Sequence, residues 1–238
     1  MNAQTWLWLT TVAMAVGGGV ILATGARRDG RQEAHTIISG IVPLIAACAY
    51  FAMAVGQGSV VIADGTTTRL FYFARYIDWS ITTPLLLLGL AMTAMHSGMR
   101  RWGAVGGMLL ADLMMLVTGF AFAASTVPWI KLTWFIISCG FFLAVLHVLR
   151  TPLGEEARKE PSAADYGKQG HLLTVLWLVY PVVVGLSPDG LNWIGEELTL
   201  PLVAIVDVVS KVGFGLIAVR DKTVQTEVSE QAGGRAAA

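Results

Sequence analysis

Charge is what this sequence lacks. Only 13% of its 238 residues are Asp, Glu, Lys or Arg, roughly half the share of an ordinary soluble domain. Sixteen basic residues balance 16 acidic ones to a formal net charge of zero, so there is no positive excess to attract nucleic acid. Cysteine is almost absent: Cys48 and Cys139 stand apart in apolar segments without CxxC spacing. That excludes a disulfide framework and a cysteine-ligated metal site, and both read as small packing residues. The four histidines, His35, His96, His147 and His171, are scattered near the ends of apolar stretches and read as interfacial. Gly17, Gly18 and Gly19 lie inside an apolar run, where they form no phosphate loop and instead suit close helix packing. No positive segment precedes the first apolar run, MNAQTWLWLTTVAMAV, which therefore reads as a membrane span and not a secretory signal.

What is abundant is apolar length. Hydrophobic residues make up 55% of the chain. Seven stretches approach the roughly 20 residues that a bilayer requires: 4–26, 36–62, 70–96, 102–124, 130–149, 170–187 and 197–220. Short polar connectors such as RRDGRQEAH and HSGMRR separate them. The longer RTPLGEEARKEPSAADYGKQ is mixed in charge and is expected to be mobile. The expected organisation is a membrane domain over 1–222 and a disordered tail over 223–238, which has no apolar periodicity. Twelve basic residues fall on one side of a seven-span arrangement: Arg27, Arg28, Arg31, Arg100, Arg101, Arg150, Arg158, Lys159, Lys168, Arg220, Lys222 and Arg235. Only Arg69 and Lys131 fall near the other. The positive-inside rule then predicts an all-α seven-transmembrane helix bundle in the plasma membrane, its N-terminus outside and its C-terminus cytoplasmic.

Five strong ionisable groups remain inside the spans: Arg75, Asp78, Asp112, Asp207 and Lys211. Each costs at least ~2.5 kcal/mol at the bilayer centre, which marks it as a functional-site candidate. Their formal sum is −1, so one should be neutral, and Asp112, with no basic residue near it in sequence, is the candidate. The other four balance as two cations and two carboxylates. Asp207 and Lys211 are four residues apart, on one helix face. Asp78 and Thr82 have the same spacing, with Arg75 three residues before Asp78 and outward of it. A lysine in an apolar pocket is also a nucleophile suited to a Schiff base with a carbonyl compound.

Specific motifs surround these charges. RYIDWSITTPLLLLGL at 75–90 resembles the third helix of the microbial rhodopsins, and DVVSKVGFG at 207–215 resembles their seventh. WLVYP at 177–181 and WFIISC at 134–139 are similar to their sixth and fifth helices. The resemblance covers all seven spans and implies that Lys211 carries all-trans-retinal as a protonated Schiff base. It implies Asp78 as primary counterion and proton acceptor, Asp207 as second counterion, Thr82 bonded to Asp78, and Arg75 gating the outward path. Trp79, Thr83, Leu86, Met115, Gly119, Ser138, Phe142, Trp177, Tyr180 and Pro181 would line the retinal pocket, with Tyr50 and Tyr76 near the counterions. Asp112 would be a protonated carboxyl bonded to a neighbouring helix.

The resemblance implies a light-driven outward proton pump whose partners are the lipid bilayer, protons and further copies of the chain in a homo-oligomer. It also implies a departure. Well-known pumps carry a donor carboxylate eleven residues after the acceptor, and this chain has Gly89 there, so the triad reads Asp78, Thr82, Gly89. Reprotonation must then use water or another group. On the release side, the position eight before Asp207 is Thr199, with Asp189, Glu196 and Glu197 nearby; Glu197 is the candidate contributor. The alternative is a sensory photoreceptor signalling through a membrane transducer, since sensors also lack the donor. Ser210 adds a hydroxyl beside the lysine that would tune colour or couple to that transducer.

Overall fold

The computed structural model describes residues 2–25, 31–64 and 67–220. The expected tail at 223–238 and residues 26–30 of the first connector lie outside them. Helices α1 (Ala3–Gly25) and α2 (Arg31–Ala54) pack along each other. An antiparallel hairpin follows, β1 (Val60–Asp64) on β2 (Thr67–Phe71), with Val60 opposite Phe71 and Ile62 opposite Arg69. Next come α3 (Phe73–Ala94), α4 (Trp102–Ala124) and α5 (Pro128–Val148). A π turn, Leu149–Leu153, joins α5 to the short α6 (Gly154–Ala157), and α7 spans Ala163–Leu186. The last span is α8 (Glu196–Val208), a second π turn (Val209–Gly213) and α9 (Phe214–Arg220).

Seven of these segments are long and apolar enough to cross a membrane, as expected. Pro43, Pro84, Pro181 and Pro201 all lie inside them, which a bilayer tolerates because neighbouring helices re-satisfy the freed carbonyls. Burial is uneven. α3 buries 13 residues, whereas α5 buries only Phe142, Val145 and Leu146 and turns Ile136 and Leu143 outward. α3 is thus the most buried span, with Asp78, Thr82 and Leu86 turned inward and Ile77 and Ile81 left on the outer surface.

Four expectations are corrected. The span 36–62 ends earlier, at Ala54, and 70–96 begins later, at Phe73, because Val60–Phe71 is a hairpin whose β-branched residues were absorbed into apolar runs. The long connector is ordered and not mobile: Leu153 and Ala157 are buried in the core, Glu156 pairs with Arg101 and Lys159, and Glu160 with Arg100. Its acids find arginines on the α3–α4 connection, and Ser162 Oγ donates to the Thr93 carbonyl at 2.7 Å. Cys48 is exposed on the helix surface and so is no packing residue. The glycine triplet divides likewise: Gly17 and Gly18 press against neighbouring helices, whereas Gly19 has open space.

Candidate functional site

Lys211 occupies the second π turn, whose wider ring re-aims its side chain relative to an unbroken α-helix. It is 1% exposed. Nζ donates to Asp78 Oδ2 at 2.6 Å and to Asp207 Oδ1 at 3.1 Å. The two carboxylates are unequal. Asp207 also accepts from Tyr50 OH at 2.6 Å, Tyr180 OH at 2.6 Å and Trp79 Nε1 at 3.2 Å. Asp78 Oδ1 has no partner at all among the described residues. Thr82 bonds Asp78 along α3, its hydroxyl donating to the Asp78 main-chain carbonyl at 2.9 Å. One buried acid is therefore saturated with donors, and the other depends on the lysine.

Beyond Nζ opens a cavity with about 790 Å³ of empty space, counted to its open edge. All ten expected lining residues border it, from Trp79, Thr83 and Leu86 on α3 to Trp177, Tyr180 and Pro181 on α7. Trp79 and Tyr180 meet edge to face at 5.1 Å. The sequence reading missed Leu116, Phe122, Phe135, Cys139 and Val184, which also line it. A signal existed: these residues continue the i+3/i+4 series through Met115, Gly119, Ser138, Phe142 and Tyr180. Tyr76 lies in the cavity wall against Trp79, with ring centroids 5.3 Å apart, while Tyr180 joins Tyr50 on Asp207.

Asp112, fully buried, reaches Thr83 Oγ1 at 2.7 Å, and the same hydroxyl lies 2.8 Å from the Trp79 carbonyl. A hydroxyl has one proton to give. If the carbonyl takes it, the Asp112 carboxyl must supply the proton of the other contact.

On the hairpin side, Arg75 Nη2 meets Glu196 Oε1 at 3.5 Å, and the guanidinium lies 4.8 Å over the Tyr72 ring. Asp189 pairs with Arg69. Burial pushes the Asp189 carboxyl above its ordinary value, opposed by the nearby charges of Arg69, Arg75 and Lys131. Glu197, the expected release contributor, is exposed one residue beyond. Its neighbour Glu196 takes the place beside Arg75, because one residue is about 100° of helix rotation.

On the opposite side a second, smaller cavity is bordered by His35, Ser39, Gly89, Gln169, Phe214 and Leu86, and Leu86 also borders the first. A Cβ on Gly89 would meet only Ile38, at 3.9 Å. His35 is thus no mere interfacial residue: it faces the space left by the glycine.

A membrane bundle whose central lysine is held between two carboxylates and opens into an apolar, aromatic-walled cavity belongs to a narrow class. The chain is a member of the bacteriorhodopsin-like protein family, whose profile matches residues 1–225. It is 36% identical to a bacteriorhodopsin of Haloterrigena sp. (strain arg-4) over 94% of this chain and 90% of that one. Its fold is similar to the light-driven proton pump of Coccomyxa subellipsoidea, with a TM-score of 0.85 and 31% identity over 91% of this chain and 95% of that one. It is also similar to a halorhodopsin described as a light-driven chloride pump, with a TM-score of 0.88 and 26% identity over 94% and 95%. The family makes this a multi-pass membrane protein and implies retinal. The site fits that group: an amine ends an apolar cavity, and Gly119 leaves a cradle where a Cβ would come within 3.4 Å of Ser138 Oγ.

Proposed function

We propose that this protein is a light-driven outward proton pump, with retinal held covalently by Lys211 Nζ, its N-terminus outside and its C-terminus cytoplasmic. The observation that carries the reading is the inequality of the two carboxylates around Nζ. When bound at Lys211, retinal would supply light absorption and a photoisomerisation that disturbs the pairing of Nζ with its carboxylates. A proton leaving Nζ has two acceptors within 3.1 Å. Asp207, as an anion, already accepts from three other donors, and taking the proton would weaken all three bonds. Asp78 is held by fewer donors, and its Oδ1, which makes no hydrogen bond among the described residues, leaves room for an added proton. Asp78 is therefore the acceptor and Asp207 the fixed counter-charge.

From Asp78 the outward route is marked by Arg75 and Glu196, which carry charge from the site to the hairpin side. The return proton comes from the other side, through the cavity bordered by Gly89. There His35 replaces the missing carboxylate, since an imidazole gains and loses a proton near physiological pH. A chloride pump is disfavoured, because the Asp78 carboxylate already occupies the place 2.6 Å from Nζ that a bound anion would need. The sensory alternative draws on Gly89 and on Ser210, whose Oγ lies 3.4 Å from Tyr180 OH. Vesicles containing the purified pigment separate these readings. Light should drive net proton movement in native vesicles and none in Asp78→Asn ones. A native pigment that cycles in light without moving protons would favour the sensor.

A further inference from the structure

The glycine triplet of the first span has no part in the proton route, yet one of its members touches the turn that bears the lysine. A Cβ placed on Gly17 would lie 2.5 Å from Val212 Cγ1, 2.6 Å from Val212 Cγ2 and 3.1 Å from Val212 Cβ. Val212 follows Lys211 directly, inside the π turn Val209–Gly213. From this contact we propose that Gly17 is a positioning residue for Lys211: by letting α1 approach the π turn, it fixes where Nζ stands between Asp78 and Asp207. The inference rests on the reading of Lys211 as the retinal-bearing residue.

Side-chain rotation cannot relieve the contact. A valine fills two of the three staggered positions on its Cβ, and here both filled positions clash with a residue-17 methyl. Every other rotamer keeps one of them filled. The Val212 Cβ itself, at 3.1 Å, is also closer than ordinary contact, which begins at 3.4 Å. Relief must therefore come from the backbone of α1 or of the π turn. The α1 side is constrained as well, because Gly18 has Leu44 and the Gly40 carbonyl within 3.0 Å of its own Cβ direction. Further along, Gly215 would meet Ile21 at 2.8 Å. Two glycine contacts, at Val212 and Gly215, thus hold α1 against the last span within one turn after Lys211. Packed interiors transmit such strain instead of absorbing it. The displacement reaches an Nζ whose carboxylate contacts are only 2.6 and 3.1 Å long.

The test compares three variants of the retinal-loaded protein: Gly17→Ala, Gly17→Ala with Val212→Ala, and Gly19→Ala, whose added methyl meets open space. The readouts are the dark absorption maximum, the rate of proton transfer from Nζ after a flash, and the thermal midpoint. Gly17→Ala should displace the absorption maximum and slow the transfer at least ~10-fold, since a misplacement of about 1 Å costs up to 100-fold. The double variant should restore both, and Gly19→Ala should match the native protein. If Gly17→Ala yields no folded pigment, recovery of pigment in the double variant supports the proposal, and no recovery overturns it. A Gly17→Ala protein with a lowered thermal midpoint but native absorption and transfer rate overturns it too, leaving Gly17 a packing residue only. A native protein that takes up no retinal would refute the chromophore reading itself, a result distinct from either.

Discussion

The two halves of the bundle on either side of Lys211 are built by opposite means. Toward the hairpin, charged groups succeed one another from Asp78 to Arg75 and Glu196, with Arg69 and Asp189 beside them. Toward the other end, past Thr82 and the Thr83–Asp112 pair, come Leu86 and Gly89, and His35 and Gln169 appear only across a small cavity. A proton released from Nζ on the charged side finds an acceptor within hydrogen-bond distance. One arriving from the other side must cross a gap. On the proposed reading this contrast gives the lysine a direction, with departure easy on one side and return slow on the other.

The largest expected effect breaks the charged half. Asp78→Asn removes the acceptor, so flash-induced loss of the Nζ proton should fall at least ~100-fold in time-resolved absorption, the scale of a lost proton-transfer partner. Asp207→Asn should act differently, disturbing dark colour and pigment yield, because it strands the donors of Tyr50, Tyr180 and Trp79. Next comes the sparse half. His35→Gln should slow the late, proton-uptake step ~10-fold or more and leave the early transfer to Asp78 untouched. Gly89→Asp should then recover much of that speed, since the glycine leaves room for a side chain. An unchanged late step in His35→Gln would remove the imidazole from the route.

These contrasts were unevenly legible in the sequence. The spacings of Asp78 with Thr82 and of Asp207 with Lys211 follow from helix geometry, and the pocket residues share the same periodicity, so the core of the site could be read residue by residue. The π turn at Lys211 could not, because the choice between hydrogen-bond ladders depends on contact with other elements, Gly17 among them. His35 looked interfacial because the cavity that gives it a role is assembled from α2, α3, α7 and α9. Glu196 and Glu197 are identical in type, and only the rotation of α8 turns the first toward Arg75. The connector after α5 read as mobile because its charges were counted as solvated, when Glu156 and Glu160 have arginine partners across the chain.

The smallest expected effect concerns pH and stability on the charged side. Burial holds the Asp189 carboxyl above its ordinary value, so the folded protein keeps a proton there that the unfolded chain releases. That contribution is fully present below the unfolded value and is lost as pH rises through the folded one. Asp189→Asn should therefore flatten the decline of the thermal midpoint across the mildly acidic range. A decline as steep as in the native protein would show that other groups set it.

The central claim is outward transport. Cells expressing the chain with retinal, suspended in unbuffered medium and illuminated, should acidify that medium, and a protonophore should abolish the change. A medium that turns alkaline in light, or that does not change at all, would contradict the account.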